Sequence, residues 1–278
     1  MGIIDLINKM KMEFNAVSEK DILYILSDRF NVPIQELKFF SNINLTEPDI
    51  SAISKQLIRR QQGEPLQYIT AKAYFRDYEL NVGEGVLIPR PETEVLVDYG
   101  VKVLQKKCNP FVLDIGTGSG AIAISFAVEL HDASVFAVDI SSDAIKYAEK
   151  NIAAYNLTER ISLFRGNLFE PLSDDIKFDL IAANLPYVSD SFYDLLPDEV
   201  KNFEPHSALF AENEGLDIII RCISEAGKYM NPKGRIILEI SPEQSRNVKD
   251  LLRDAGFSTV EVIKDLTGRD RFCCGCLE

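Results

Sequence analysis

The sequence predicts an α/β protein whose main domain is a mostly parallel β-sheet with helices on both faces. From Phe111 onward, short apolar runs alternate with segments of helical length, which is typical of βαβ units. A glycine-rich turn joins the first apolar run to the helix after it, as in folds that bind ligands at the carboxyl ends of parallel strands. A small all-helical domain and a β-hairpin connector are predicted before this sheet.

Residues 1–73 are predicted to form the helical domain. Ser18 and Thr46 each precede an aspartate by three residues, which is typical of a capping box, and a short helical piece is expected over Pro33–Phe40. These residues fit a packing domain and a partner-recognition domain equally well. The first helix is predicted from apolar residues at helical spacing: Ile3, Leu6, Ile7, Met10 and Phe14.

Residues 74–88 are predicted to be a hairpin connector, since apolar and polar residues alternate on both sides of Arg76-Asp77. Residues 89–278 then form the sheet domain. At its start, the segment Leu87–Glu94, here called the proline segment, contains two prolines that favour an extended chain before a helix through Lys106. A rigid turn explains this segment, and we expect neither Arg90 nor Glu94 to be catalytic.

The sheet domain is predicted to alternate strands with helices, and an additional helix over 249–255 is predicted before the two last strands. The two last strands, at about 258–263 and 271–276, are expected to close the sheet. The preceding strands are predicted at 111–114, 134–139, 161–164, 178–183 and 234–240, and the helices at 121–130, 142–154 and 213–230.

The turn after the first strand, Asp114–Gly120, is called the glycine loop. Its glycines let the backbone approach a ligand, and the following helix directs free N–H groups toward it. Asp139 ends the next strand, about 20 residues on, where an acid can accept from ribose hydroxyls. NAD and S-adenosylmethionine both carry a ribose, and a plain strand–turn–helix also fits. Asp114 favours S-adenosylmethionine, because a carboxylate would repel a pyrophosphate.

The strand at 178–183 leads into Asn184–Tyr187, here called the acceptor loop. The Asn184 side-chain oxygen and the Leu185 carbonyl can accept both hydrogens of a planar amide or amine nitrogen, and Pro186 keeps Leu185 out of the helical region. Tyr187 offers a flat face for stacking. The pattern predicts methylation of such a nitrogen, although a chance N-x-P turn would look the same.

Together with other motifs, these two loops give the chain a resemblance to the peptide chain release factor glutamine methyltransferases (PrmC/HemK family) over essentially its whole length. The motifs that carry the resemblance are Gly63–Ile69, Leu87–Glu94, the DIGTGSGAIA run from Asp114, Asn184–Tyr187, Phe203–Pro205 with Ala208–Phe210, Leu238–Ile240 and Asp265–Arg271.

The resemblance implies a Rossmann-like methyltransferase fold and methyl transfer from S-adenosyl-L-methionine, with S-adenosyl-L-homocysteine as product, to the glutamine of a Gly-Gly-Gln motif in class 1 release factors. It further implies that the helical domain recognises the release factor and that the proline segment lies over the donor pocket. The acceptor-loop residues Asn184, Leu185, Pro186 and Tyr187 would act in catalysis and substrate binding. The cofactor-binding residues would be Asp114, Gly116, Thr117, Gly118, Ser119, Gly120, Asp139, Asn167, Leu168 and Asn184.

Leu185 departs from the family, which usually has Asn-Pro-Pro-Tyr at this loop. Asn-Leu-Pro-Tyr is also the usual form in adenine dimethyltransferases of ribosomal RNA, so an adenine-N6 methyltransferase acting on RNA or DNA is the alternative. An NAD-binding module or a non-catalytic module is a third possibility. The net charge of −13, with 43 acidic against 30 basic residues, disfavours nucleic acid as a direct substrate.

The remaining composition is that of a soluble globular protein, 46% hydrophobic and 26% charged. We expect a cytoplasmic location, because the sequence shows neither a secretory signal nor an apolar run of membrane-spanning length. We also expect a monomer. The five cysteines and two histidines lack the spacing of metal ligands, so no metal site is expected. His206 is expected to be an exposed loop residue rather than a general base.

Overall fold

The computed structural model describes residues 2–39 and 46–278. Contacts divide this part of the chain into two compact units. One comprises the described residues up to Lys72 together with Pro197–Phe203, and the other comprises Ala73–Leu196 and Glu204–Glu278. The assignment of residues 1–73, 74–88 and 89–278 to three separate roles stays a prediction.

The first unit is helical, and both of its predicted capping residues act as caps. The Ser18 side chain accepts the Asp21 N–H, and the Thr46 side chain accepts the Asp49 N–H. Of the predicted piece from Pro33, Leu37–Phe39 forms a 3-10 turn, while Phe40 lies outside the described residues. The helices are α1 (Ile3–Glu13), α2 (Glu19–Phe30), α3 (Glu47–Gln61) and α4 (Leu66–Thr70).

An arginine of α3 connects a distant segment to the rest of this unit. The Arg60 guanidinium lies 2.8 Å from a carboxylate oxygen of Asp21 in α2 and 2.8 Å from one of Glu199. Glu199 is part of Pro197–Phe203, far along the chain. No local sequence pattern indicated this pairing, since the two partners are 139 residues apart.

The second unit contains the predicted sheet and, apart from Lys72, the predicted hairpin. The hairpin consists of β1 (Lys72–Phe75) and β2 (Tyr78–Asn81). The sheet has seven strands in the order β5-β4-β3-β6-β7-β9-β8, and β9 runs antiparallel to both of its neighbours. Its strands are β3 (Phe111–Ile115), β4 (Ser134–Asp139), β5 (Ile161–Arg165), β6 (Phe178–Ala183), β7 (Met230–Glu239), β8 (Phe257–Lys264) and β9 (Asp270–Leu277).

Helices cover both faces of this sheet, as predicted. Successive residues of β3 point to opposite faces, so that Val112 and Leu113 belong to different apolar clusters. The Val112 cluster includes residues of α5 (Glu94–Leu104), α6 (Ala121–Glu129) and α7 (Ser142–Ala154). The Leu113 cluster includes residues of α12 (Asp217–Ala226) and α13 (Ser245–Asp254).

The strand order reverses between β3 and β6. From β3 the chain proceeds outward through β4 and β5, and it then returns to pair β6 with the other side of β3. In open α/β sheets a crevice forms at such a reversal, beyond the carboxyl ends of the strands. The glycine loop and the acceptor loop follow these two strands directly.

Several predicted boundaries were wrong where short irregular elements interrupt the pattern. The predicted helix over 213–230 is broken, because Asn213 and Glu214 adopt left-handed φ values and Gly215 has φ +79°. A Cβ at Gly215 would lie 2.0 Å from the Tyr187 carbonyl oxygen, so a regular helix does not fit there. Helix α13 begins at Ser245 rather than Lys249.

The segment after the acceptor loop, for which the sequence predicted no regular element before 213, contains four short elements: α8 (Asp190–Tyr193), α9 (Asp198–Phe203), α10 (His206–Leu209) and α11 (Glu212–Gly215). The 3-10 turns of the second unit are Pro91–Thr93, Gly227–Tyr229 and Pro242–Gln244. Among the described helices, none has the length and apolar character needed to cross a bilayer. The cytoplasmic location stays a prediction.

Gly100 in α5 provides a test of the packing against the sheet. A Cβ at this position would lie 2.4 Å from Phe126 Cε1 and 2.7 Å from Leu180 Cδ2. We expect Gly100→Ala to lower the free energy of unfolding by about 1–3 kcal/mol, measured by urea denaturation. Gly227→Ala is the control, because nothing lies within 4 Å of its added Cβ. Equal stability of the two variants would contradict the packing.

Candidate active site at the carboxyl edge of the sheet

A cavity of about 250 Å³ lies beyond the carboxyl ends of β3, β4 and β6 in the second unit. Leu87, Pro89 and Arg90 of the proline segment also line it. The cavity brings together most of the residues predicted from the sequence to form the site: Gly116, Thr117, Gly118, Ser119, Asp139, Asn167, Leu168, Asn184, Leu185 and Pro186. Asp114, Gly120 and Tyr187 are not on its wall.

The glycine loop has a backbone that favours glycine at every second position. The φ values of Gly116, Gly118 and Gly120 are +74°, +58° and +86°, all in the left-handed region. The Gly116 N–H donates to the Val138 carbonyl at 2.8 Å. A Cβ at Gly116 would lie 3.3 Å from the Asn184 carbonyl oxygen. The glycine loop and the acceptor loop therefore come close to each other.

Asp114 acts inside the glycine loop rather than on the cavity wall. Its Oδ2 accepts the Thr117 hydroxyl at 2.6 Å and the Ala123 N–H at 3.1 Å. Its Oδ1 has no hydrogen-bond partner among the described residues. Complete burial raises the pKa of Asp114 to about 7, against the lowering effect of these two hydrogen bonds. A nearby cation would favour the charged form of this carboxyl group.

Asp139 both shapes the loop and faces the cavity. Its Oδ2 accepts the Gly118 N–H at 2.9 Å, and its Oδ1 accepts the Ser141 N–H at 2.8 Å. Burial raises the pKa of this carboxyl group. The Ile140 N–H also bonds to this carboxyl group. A carboxylate has about four acceptor positions, so one remains for an added hydroxyl donor. This geometry fits the predicted contact with a ribose.

The Asn184 side chain is held by Thr93, and Thr93 is in turn held by Glu239. Neither residue was assigned to the site from the sequence. Asn184 Nδ2 donates to Thr93 Oγ1 at 3.1 Å, and the Thr93 hydroxyl donates to Glu239 Oε2 at 2.6 Å. Thr93 is 4% exposed and Glu239 is 2% exposed. Thr93 therefore contacts Nδ2 of the Asn184 amide, and Oδ1 takes no part in that contact.

The sequence did carry a signal for Glu239. It is the last residue of β7, and β7 pairs in parallel with β6. It therefore ends at the same sheet edge as Asp114 and Asp139. Thr93 lies in the proline segment and was not singled out from the sequence as a site residue, and its contact with Glu239 spans 146 residues of sequence.

Tyr187 is oriented by the same carboxylate. Its hydroxyl donates to Glu239 Oε1 at 3.2 Å, and its carbonyl accepts from Gln244 Nε2 at 3.0 Å. Burial, and to a lesser extent the nearby Glu239 charge, raise the pKa of Tyr187. The predicted stacking of its ring on a target plane stays a prediction.

The proline segment is fixed by Glu204. The Glu204 side chain is 2% exposed, and it accepts from Arg90 Nη2 at 2.5 Å and from the Ile88 N–H at 3.2 Å. Glu204 immediately precedes Pro205, which lines the cavity. His206 is exposed, as predicted, but it begins α10 instead of lying in a loop.

The site as a whole joins the glycine loop, whose three glycines have positive φ, with the adjacent acceptor loop, which carries a side-chain amide. A methyltransferase-domain model matches residues 106–265, and a PrmC N-terminal domain model matches residues 11–70. The fold and the methyltransferase-domain model together define the chain as a methyltransferase. The crystal structure of a ribosomal protein L11 methylase from Lactobacillus delbrueckii subsp. bulgaricus shares the fold, with TM-score 0.51, 23% identity, and coverage of 72% of this chain and 84% of that chain.

The relatives identify the family. The release factor glutamine methyltransferase of Fusobacterium nucleatum is 38% identical over 252 residues, which cover 90% of this chain and 71% of that protein. A bifunctional methyltransferase of Rickettsia typhi is 36% identical over 96% of this chain, which spans only 54% of that longer protein. The chain belongs to the release factor glutamine methyltransferase family. The methyltransferase domain implies the use of S-adenosylmethionine.

The raised pKa of Asp114 should make the free energy of unfolding depend on pH. An unfolded aspartate titrates near pKa ~3.9, whereas burial raises the pKa of folded Asp114 to about 7. Between these values the folded state binds more protons than the unfolded state, so the free energy of unfolding falls as pH rises. We expect Asp114→Asn to remove this contribution.

The measurement is urea denaturation of the wild type and Asp114→Asn at several pH values between about 4 and 7. Titrations common to both proteins cancel in the difference between their unfolding free energies. The wild type should lose more stability across this range than the variant. Parallel curves for the two proteins would mean that Asp114 does not titrate there.

Proposed function

We propose that this protein transfers a methyl group from S-adenosylmethionine to the side-chain amide nitrogen of the glutamine in the Gly-Gly-Gln motif of class 1 peptide chain release factors. The observation that supports this most directly is the orientation of the Asn184 amide. Asn184 lies beside the glycine loop, and its Nδ2 donates to Thr93. Family membership supports the choice of substrate.

The donor side is proposed to hold the adenosyl and methionine groups. Asp139 would accept from the ribose hydroxyls, Leu168 would pack against the adenine, and Asn167 would bond to the adenine edge. The Asp114 charge, inside the loop, would favour the positively charged donor over a pyrophosphate. S-adenosylmethionine, when bound, supplies a methyl group on a positively charged sulfur.

The acceptor side is proposed to hold both N–H groups of the glutamine amide. Asn184 Oδ1 would accept one hydrogen and the Leu185 carbonyl the other, with the nitrogen facing the methyl group. Pro186 supports this by restricting Leu185 to extended conformations. Most of the rate would come from positioning and from acceptors that stabilise developing positive charge.

The transfer is a single displacement. The glutamine nitrogen forms a bond to the methyl carbon, and the carbon–sulfur bond breaks with its electron pair remaining on sulfur. The nitrogen then loses one proton to solvent, which leaves a methylated amide and S-adenosylhomocysteine. Adenine presents a similar amine, but the net charge of −13 and the family membership favour the protein substrate.

The direct test is transfer of labelled methyl from S-adenosylmethionine to three acceptors. These are an intact release factor, the same factor with its Gly-Gly-Gln glutamine replaced by alanine, and ribosomal RNA. We expect label only on the intact factor. Label on the RNA, or equal label on both forms of the factor, would refute the proposed substrate.

Asn184→Ala removes one of the two proposed acceptors. We expect kcat to fall by about 100-fold or more, in the range seen when one charge-stabilising group is deleted. The dissociation constant of S-adenosylmethionine, measured by calorimetry, should change by less than about threefold, equivalent to under 1 kcal/mol. A loss of donor affinity as large as the loss of rate would refute the acceptor role.

Leu185→Pro restores the residue that the family usually has at this position. The proposed contribution of position 185 is its carbonyl group, which proline retains. We therefore expect kcat to change by less than about tenfold, or 1.4 kcal/mol. A collapse of activity in an otherwise folded variant would mean that the Leu185 side chain, which is 4% exposed, shapes the acceptor pocket.

A further inference from the structure

Glu239 lies behind the acceptor loop and does not line the cavity. We infer that it is a positioning residue: through the hydroxyl group of Thr93, it determines which end of the Asn184 amide faces the acceptor. This inference rests on the proposed function, because it concerns how Asn184 receives the glutamine amide.

The direction of each hydrogen bond follows from the chemistry of Thr93. Its hydroxyl group has a single hydrogen, and its Oγ1 lies 2.6 Å from Glu239 Oε2, a distance typical of a hydroxyl bonded to a carboxylate. The Arg271 charge and the Thr93 and Tyr187 hydroxyls favour the ionised form of Glu239, and an ionised carboxylate only accepts. The Thr93 hydrogen is therefore committed to Glu239, and Thr93 Oγ1 can only accept from Asn184.

Packing alone would not select this orientation. The oxygen and the NH₂ group of an asparagine side chain have nearly the same size, so both orientations occupy the same space. With Thr93 Oγ1 restricted to accepting, the group 3.1 Å away must be Nδ2. The alternative orientation would place two acceptors against each other at Thr93 and would present NH₂ to the N–H groups of the substrate.

Glu239 is itself held firmly in place. Its second oxygen, Oε1, accepts the Tyr187 hydroxyl at 3.2 Å, and Arg271 Nη1 lies 3.5 Å from that same hydroxyl oxygen. Burial raises the pKa of Glu239, while Thr93, Arg271 and Tyr187 lower it. Burial of a carboxylate is costly unless it is hydrogen-bonded, and here both oxygens have a partner.

The hydrogen bonds from Asn184 through Thr93 to Glu239 also polarise one another. Asn184 donates to Thr93, and Thr93 donates to a negatively charged group, so each bond polarises the next. Electron density is thereby shifted toward Asn184 Oδ1, which improves it as an acceptor while positive charge develops on the substrate nitrogen. Glu239 thus contributes without touching the substrate.

The test compares kcat for release factor methylation in variants of this chain of bonds. Thr93→Val keeps the shape of the side chain but removes the hydroxyl, and we expect kcat to fall by about 100-fold, as for a misplaced catalytic group. Thr93→Ser restores a hydroxyl and should exceed the valine variant by at least about tenfold. Glu239→Gln removes the acceptor-only partner and should lower kcat by at least about tenfold.

A double-mutant cycle separates positioning from general stability. Once Thr93 is valine, Glu239 has lost its connection to Asn184 and keeps only its bond to Tyr187, so Glu239→Gln should lower kcat by a smaller factor than it does in the wild type. The dissociation constant of S-adenosylmethionine and the melting temperature are measured for every variant. Glu261→Gln is the matched control, because it removes a carboxylate charge from the exposed Glu261, which accepts from Tyr99 at 3.2 Å, and should leave kcat unchanged.

Equal kcat for Thr93→Val and Thr93→Ser would overturn the inference, as would fully additive losses in the double variant. If the Thr93→Val variant melts below the assay temperature, the Glu239→Gln variant decides the question. A kcat of Glu239→Gln equal to that of the wild type would also overturn the inference. A wild-type protein that methylates no release factor glutamine would refute the proposed function itself. Active wild type with unaffected variants would refute only the role of Glu239.

Discussion

The parallel pairing of β3 with β6 is the interaction on which the site depends. Its register places Ile115 opposite Ala183, so the residues that follow, Gly116 and Asn184, leave the sheet side by side. The two loops are close enough that a Cβ on Gly116 would press against the Asn184 carbonyl at 3.3 Å. Donor-binding and acceptor-binding groups are thus neighbours because of strand order and register.

Buried carboxylates at this sheet edge supply the second constraint. Asp114, Asp139 and Glu239 each end or nearly end a strand, and burial raises the pKa of all three. Each is held by hydrogen bonds from the elements that carry the site. Their desolvation costs folding free energy, and in return the loops acquire fixed orientations. Such a cost is expected where function, rather than stability, determines the residue.

The sequence predicted the fold and much of the site because both have local signatures. Buried strands are continuous apolar runs, and glycines mark backbone with positive φ, as at Gly116. The Asn184–Tyr187 motif directly follows a strand. Contacts between distant residues have no such signature, so the chain from Asn184 through Thr93 to Glu239 was missed. The break at Gly215 was also missed, since it depends on the carbonyl of Tyr187.

The most direct measurement of the central claim is a crystal structure with S-adenosylhomocysteine and a Gly-Gly-Gln peptide. The mechanism predicts that the glutamine N–H groups donate to Asn184 Oδ1 and to the Leu185 carbonyl at about 2.7–3.2 Å. Asn184 Nδ2 should still donate to Thr93. A glutamine amide bound elsewhere in the cavity, or bound to Asn184 through Nδ2, would contradict the mechanism.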